Sequence, residues 1–199
     1  MPARAWPAYQ PKPDELEGME SDASKNKCSS SGKTNNICTQ LLFNIATTLV
    51  FYNIDAERGF RQYEELAKQG HIDSMVAVGI MLVEGLGIKP QEEKGIEWLQ
   101  KAVELDSSQG CYELGTVFYT GIDGILEEDP KAAFELFQKA AKQDHVAGTY
   151  MMADCLIEGE GTEQSVAKAV PLFYHAAERG HRFSRQRIRE LLARKEYQS

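Results

Sequence analysis

From Ile37 onward, polar and apolar residues follow a pattern that repeats along the chain. Successive amphipathic segments end on related runs: Leu66-Ala67-Lys68-Gln69-Gly70-His71, Ala102-Val103-Glu104-Leu105-Asp106-Ser107, Ala140-Ala141-Lys142-Gln143-Asp144-His145 and Ala176-Ala177-Glu178-Arg179-Gly180-His181, offset by 36, 38 and 36 residues. A second series runs out of phase with the first, pairing small residues six apart: Gly79 with Gly85, Gly115 with Gly121, Ala153 with Gly159. Two interleaved series at one period predict two helices per repeat.

Length changes are confined to one connection. From Gly59, Gly95 and Ala133 of each second helix to Gly85, Gly121 and Gly159 at the end of the next first helix, the separation is 26 residues every time. From the end of a first helix to its own second helix it varies: 7 for Tyr52 to Gly59, 10 for Gly85 to Gly95, 12 for Gly121 to Ala133, 10 for Gly159 to Ala169. In a stacked array the variable loop lies on one edge, where insertions cost little, and packing fixes the other turn. Gly79, Gly115 and Ala153 fit positions where two backbones approach closely, and Gly85, Gly121 and Gly159 fit the left-handed residue that ends a helix. Asp129-Pro130 and Lys89-Pro90 place proline at or near the first turn of a second helix, while Pro171 falls inside one and predicts a kink or late start.

Val78-Gly79-Ile80-Met81-Leu82-Val83-Glu84-Gly85-Leu86-Gly87-Ile88, followed by Lys94-Gly95-Ile96-Glu97-Trp98-Leu99-Gln100-Lys101-Ala102, resembles the Sel1-like repeat. The next copy runs Leu114-Gly115-Thr116-Val117-Phe118-Tyr119-Thr120-Gly121 and Lys131-Ala132-Ala133-Phe134-Glu135-Leu136-Phe137-Gln138-Lys139-Ala140-Ala141. A third has Ala153 for the glycine, then Gly159-Glu160-Gly161 and Lys168-Ala169-Val170-Pro171-Leu172-Phe173-Tyr174-His175-Ala176-Ala177. The earliest copy, Leu42 to His71, lacks the Gly-x-Gly turn. The resemblance implies an all-α fold, an α/α solenoid of about four repeats (37–71, 72–107, 108–145, 146–181) related to tetratricopeptide arrays, and a non-catalytic adaptor or scaffold role.

The flanks differ from the repeats. Residues 1–36 hold four of the seven prolines and only Leu16 among Leu, Ile, Val and Phe, too little apolar surface to offset ordering, so a disordered tail is expected. Its acidic stretch Asp14 to Glu20 reads as a solubilising leader or a docking motif. Residues 182–199 carry six Arg and Lys against two Glu, 6 − 2 = +4, so the rest of the chain is −8 − 4 = −12. Phe183, Ile188, Leu191 and Leu192 give this segment the apolar stripe of a capping helix; its basic side alternatively meets an acidic partner, membrane or RNA.

Composition then narrows the function classes. At 199 residues with net charge −8, the chain suits one domain with a tail, and it does not suit a general nucleic-acid binder, which needs an excess of Lys and Arg. The longest apolar run, Leu41 to Tyr52, is too short to span a bilayer. Cys28, Cys38, Cys111 and Cys155 show no C-x-x-C spacing, so neither a zinc site nor a disulfide framework is expected and the chain reads as reduced and cytoplasmic, with an organellar compartment as the alternative. The Gly85-Leu86-Gly87 and Gly159-Glu160-Gly161 turns follow helices and lack a following Lys-Ser or Lys-Thr, so they are caps and not phosphate loops. His71, His145 and His181 recur at one repeat position, too far apart for a shared metal. No catalytic residue, metal ligand or cofactor is expected.

The resemblance implies that the candidate surface is the concave side, lined by first helices as in related arrays. Helical geometry places Phe43, Val76, Ile80, Tyr112, Thr116, Tyr119, Tyr150, Asp154 and Glu158 there. Phe43, Val76, Tyr112 and Tyr150 share one repeat position, and the pattern alone leaves open whether their side chains receive a peptide or complete the core. The face holds carboxylates without Lys or Arg, which opposes capture of an acidic C-terminus and favours a basic or apolar helical segment of a protein partner. The alternative is a constitutive structural or assembly subunit of a larger complex.

Overall fold

The structure, a computed structural model, describes residue 18 and residues 32–193, with side chains from residue 37 onward. Most of the expected tail, its acidic stretch except Gly18, and residues 194–199 lie outside the described residues. The elements are α1 (Gly32–Phe51), α2 (Ala56–Lys68), α3 (Ile72–Glu84), α4 (Glu92–Glu104), α5 (Ser108–Thr120), α6 (Pro130–Lys142), α7 (Val146–Glu158), α8 (Val166–Glu178) and α9 (Arg182–Ala193). Among the described residues the fold is all-α, with one isolated antiparallel bridge, Ile122 to Leu126, in the longest loop. Two compact units divide within α4, after Lys101.

Every hairpin closes the same way despite its variable loop. The backbone N–H of the residue opening the second helix donates to one equivalent carbonyl near the end of the first: Asp55 to Leu49 at 3.4 Å, Gln91 to Leu82 at 2.9 Å, Asp129 to Phe118 at 2.8 Å, Ser165 to Leu156 at 2.7 Å. Insertions bulge out between these fixed points, which is why they are tolerated. The inter-repeat turn is equally regular: His71, Ser107, His145 and His181 donate to Leu66, Ala102, Ala140 and Ala176 at 3.0, 3.0, 3.1 and 2.9 Å.

In the unit ending at Lys101, Ile45 and Leu49 form a small core with Leu41 and Ile54 packed on it. A Cβ on Gly79 would lie 2.7 Å from the Leu99 side chain, so the close approach expected there is real. The first hairpin manages without a Gly-x-Gly turn because Asn53 takes the left-handed backbone (φ 51°), a conformation its short polar side chain tolerates. Ala46, fully buried, stands where the next repeat has Gly79.

In the unit from Ala102, Phe137 and Phe173, both 0% exposed, anchor successive hairpins. Gly115 leaves room for Phe137, and Ala153 lies in one cluster with Leu156, Ala169, Phe173, Ile188 and Leu191. Gly161 has φ +68°, and a Cβ there would fall 2.0 Å from the Pro130 carbonyl oxygen; the second glycine of the turn seats this loop on the start of the preceding repeat's second helix. Asp129 caps α6 by accepting from Ala132 N–H at 3.0 Å, with Pro130 at the first position, whereas Pro90 precedes α4 by two residues. α8 begins at Val166 and runs through Pro171, so the late start expected from that proline does not occur.

Candidate interaction surface

The aromatic position of each first helix is tied to the histidine that opens the next. Phe43 packs on His71 with ring centroids 5.1 Å apart, Tyr112 on His145 at 5.1 Å, and Tyr150 on His181 at 4.4 Å. Where the ring is absent the histidine is absent too: Val76 is paired in register with Ser107. His71 and His145 are N-caps, and His181 Nδ1 lies 2.9 Å from the Ser184 hydroxyl. Nδ1 of His145 accepts the Gly148 N–H at 3.1 Å, which puts the ring proton on Nε2, where it donates to Gln109 Oε1 at 2.9 Å. Burial lowers the pKa of His145 and of His181, favouring the neutral ring, the form that the cap at His145 needs.

The candidate residues divide by exposure. Val76 is 4% exposed and belongs to the core, because without a ring the side chain is short enough to be covered entirely. Phe43, Ile80, Tyr112, Thr116, Tyr119 and Tyr150 are half-buried, and Glu158 is exposed. Phe43 and Tyr150 also touch Tyr63 and Phe173 at 5.3 and 5.6 Å, so these rings complete the core while part of each remains accessible. Thr116 donates its hydroxyl to the Tyr112 carbonyl at 3.0 Å, within its own helix. Tyr119 donates to the Glu160 carboxylate in the Gly-x-Gly turn, and that hydrogen bond, with burial, raises the tyrosine pKa strongly.

The acidic pair is already occupied. Asp154 and Glu158, one turn apart on α7, both hold Arg187 of α9: Arg187 Nε donates to Asp154 Oδ1 at 3.0 Å, and its terminal nitrogen donates to Glu158 Oε1. Burial raises the Asp154 pKa against the opposing pull of Arg187, and the two carboxylates outweigh burial to keep the guanidinium protonated. The face therefore does carry an arginine, supplied by the chain's own last helix. Nothing within α7 signals this. Reading 182–193 as one more first helix would have, since His181 aligns with His145 and Ser184 with Gly148.

Burial pushes the Cys155 thiol up to about 12, too high for a nucleophile at neutral pH. Among the described residues no three His, Cys, Asp or Glu side chains converge as a metal site, and no helix is long and apolar enough to cross a membrane.

The Sel1 repeat model matches residues 72–107, 108–145 and 146–181, more than half of the chain. The chain belongs to the Sel1 repeat family. Sel1 repeat proteins are generally protein-interaction adaptors built as non-catalytic repeat scaffolds. Among solved structures, an SLR-fold protective antigen of uropathogenic Escherichia coli superposes with a TM-score of 0.73 at 20% identity, over 90% of this chain and 36% of that one. A Sel1 repeat protein of Oxalobacter formigenes superposes at 0.58 and 20% identity, over 67% of this chain and 98% of that one. These likenesses show the fold alone.

Of curated relatives, chitin synthase regulator SKT5 of Saccharomyces cerevisiae is 37% identical over 84 residues, 42% of this chain and 12% of that protein. Chitin synthase regulatory factor 3 of Schizosaccharomyces pombe is 28% identical over 96 residues, 46% of this chain and 10% of that protein. The chain spans about a tenth of the length of these relatives.

Proposed function

We propose that this Sel1 repeat chain is a non-enzymatic adaptor whose first helices hold a basic or apolar helical segment of a protein partner. The supporting observation is the pair Tyr112 and Tyr150, at one repeat position on α5 and α7, each packed along one side on a histidine ring and still partly accessible. A ring fixed in this way gives contact area with little entropy to lose on binding. Thr116 and the exposed Glu158 border the two tyrosines, and on the other unit Phe43 and Ile80 are the corresponding side chains. Because Arg187 holds Asp154 and Glu158, and Tyr119 donates to Glu160, a basic side chain of the partner competes with these internal contacts for the carboxylates. The relatives named as regulators of chitin synthase support a role in governing another protein over a role as an enzyme.

Quantitative affinity purification of the full chain tests this reading. Y112A/T116R should keep the helical circular-dichroism spectrum and lose specific partners by about tenfold or more, as expected for a buried aromatic anchor. Unaltered recovery of every specific partner would overturn the groove.

A further inference from the structure

The last helix, α9, repeats the register of the other first helices with one face changed. Its residues that pack on the preceding hairpin are kept: Ser184, Ile188 and Leu191 are buried, as are Gly148 and Cys155 at the equivalent places in α7. The residues that other first helices turn toward their own second helix are replaced. Met75, Cys111 and Thr149 are all buried, and their counterpart is the exposed Arg185. Gly79, Gly115 and Ala153 are the close-approach positions, and their counterpart is the exposed Arg189. Leu82 and Leu156, 3% and 4% exposed, correspond to Leu192 at 55%.

No second helix of the repeat type fits here, because a guanidinium stands where Gly79 lets Leu99 approach. Yet a helix seat remains. Val170 and Tyr174 of α8 with Ile188, Leu191 and Leu192 of α9 line a small apolar pocket, and Arg185 and Arg189 flank Ile188 along α9. Tyr174 is 49% exposed, and among the described residues Arg185 and Arg189 make no ion pair.

We propose that this face docks an acidic amphipathic helix of a partner protein, lying where a further second helix would lie. Carboxylates one turn apart on that helix would meet Arg185 and Arg189, and adjoining apolar side chains would fill the pocket at Tyr174 and Leu192. Two observations commit the occupant to this chemistry. Every other first helix in the array is covered on this face by a helix, and the molecule already shows how a helix grips α9: Asp154 and Glu158, one turn apart on α7, hold Arg187. Arginine in place of lysine suits paired, directional contact with carboxylates. The surface is separate from the tyrosine face on α5 and α7, so either reading can fail alone.

The test uses the full chain and a fluorescein-labelled synthetic helix of about 20 residues, with glutamates at i, i+4 and i+7 along one edge and leucines along the next. Binding should weaken with added salt and fall about tenfold or more in R185E/R189E, with the thermal transition unchanged because both side chains are exposed. The same peptide with lysines for glutamates should bind R185E/R189E and not the wild type. Equal binding of a sequence-scrambled peptide, or an unaffected double variant, would overturn the proposal. So would wild-type binding to anionic phospholipid vesicles or single-stranded RNA with none to the peptide, and so would self-association of the chain through this face in sedimentation.

Discussion

Helices α7 and α9 stand at the same place in the repeat and meet water on opposite terms. α7 buries Gly148, Thr149, Ala153, Leu156 and Ile157, so it is enclosed by the hairpin before it and by its own partner α8. α9 buries Ser184, Ile188 and Leu191 alone. The difference teaches that a first helix in this array has two separable duties, covering the previous hairpin and receiving its own second helix. α9 performs the first and, by carrying Arg185 and Arg189, gives up the second. The same helix reaches back through Arg187 to the carboxylates of α7, so the two are also partners.

The strongest way to break this contrast is to give α7 the residue of α9. A153R would place a guanidinium at a site with 0% exposure, against Ala169 and Phe173 in the same cluster. Overpacking and an unpaired buried charge together should cost more than about 3 kcal/mol. Urea unfolding of the full chain checks it, and a midpoint close to that of wild type would mean that the hairpin does not need a small residue there.

Much of this was legible in the sequence because the constraints repeat. Close approach at Gly79 and Gly115, and the fixed 26-residue phase from second helix to next first helix, both follow from backbones that must pack, and sterics write themselves into residue types. The first hairpin was harder, since Asn53 supplies its left-handed residue at a place no other repeat uses. The interaction face was legible only in part. Helical periodicity put Asp154 and Glu158 on one edge of α7, but their partner Arg187 lies 33 and 29 residues away on a helix that departs from the motif. The histidine caps were visible as a recurrence; that they also hold the aromatic position became visible only with the rings in place.

A smaller effect is expected from removing the tie between the two helices. R187M keeps the length of the side chain and leaves Asp154, whose side chain is 25% exposed, without its guanidinium. The loss should be about 2 kcal/mol at neutral pH. Arg187 pulls the Asp154 pKa down against burial, so its removal lets that pKa climb further above 3.8. The deficit of R187M should therefore be full at neutral pH and shrink as acidification protonates Asp154 in the variant. A deficit independent of pH would assign the effect to packing of the side chain instead.

The histidine caps predict a gentler acid dependence. Burial holds the His145 pKa below 6.5, so the unfolded chain takes up its proton first. Stability from this group is present above that value and is lost as pH falls through the lower folded value. H145N retains a side chain able to cap α7 and should change stability by less than about 1 kcal/mol at neutral pH. It should also flatten the decline on acidification. A slope equal to that of wild type would show that protonation of His145 does not open the cap.

The smallest effect belongs to the reciprocal of the first exchange. R189A gives α9 the residue of α7 at a position open to water, where truncation usually changes stability by about 0.5 kcal/mol or less and alanine is the better helix former. Thermal unfolding should therefore scarcely move, or rise slightly. If A153R unfolds its hairpin and R189A leaves the chain intact, then one position in one register is a core site in α7 and a surface site in α9, and what decides is whether a helix packs on that face. If R189A were instead strongly destabilising, Arg189 would be held by contacts within the fold, and the open basic face of α9 would be part of the cap's own packing.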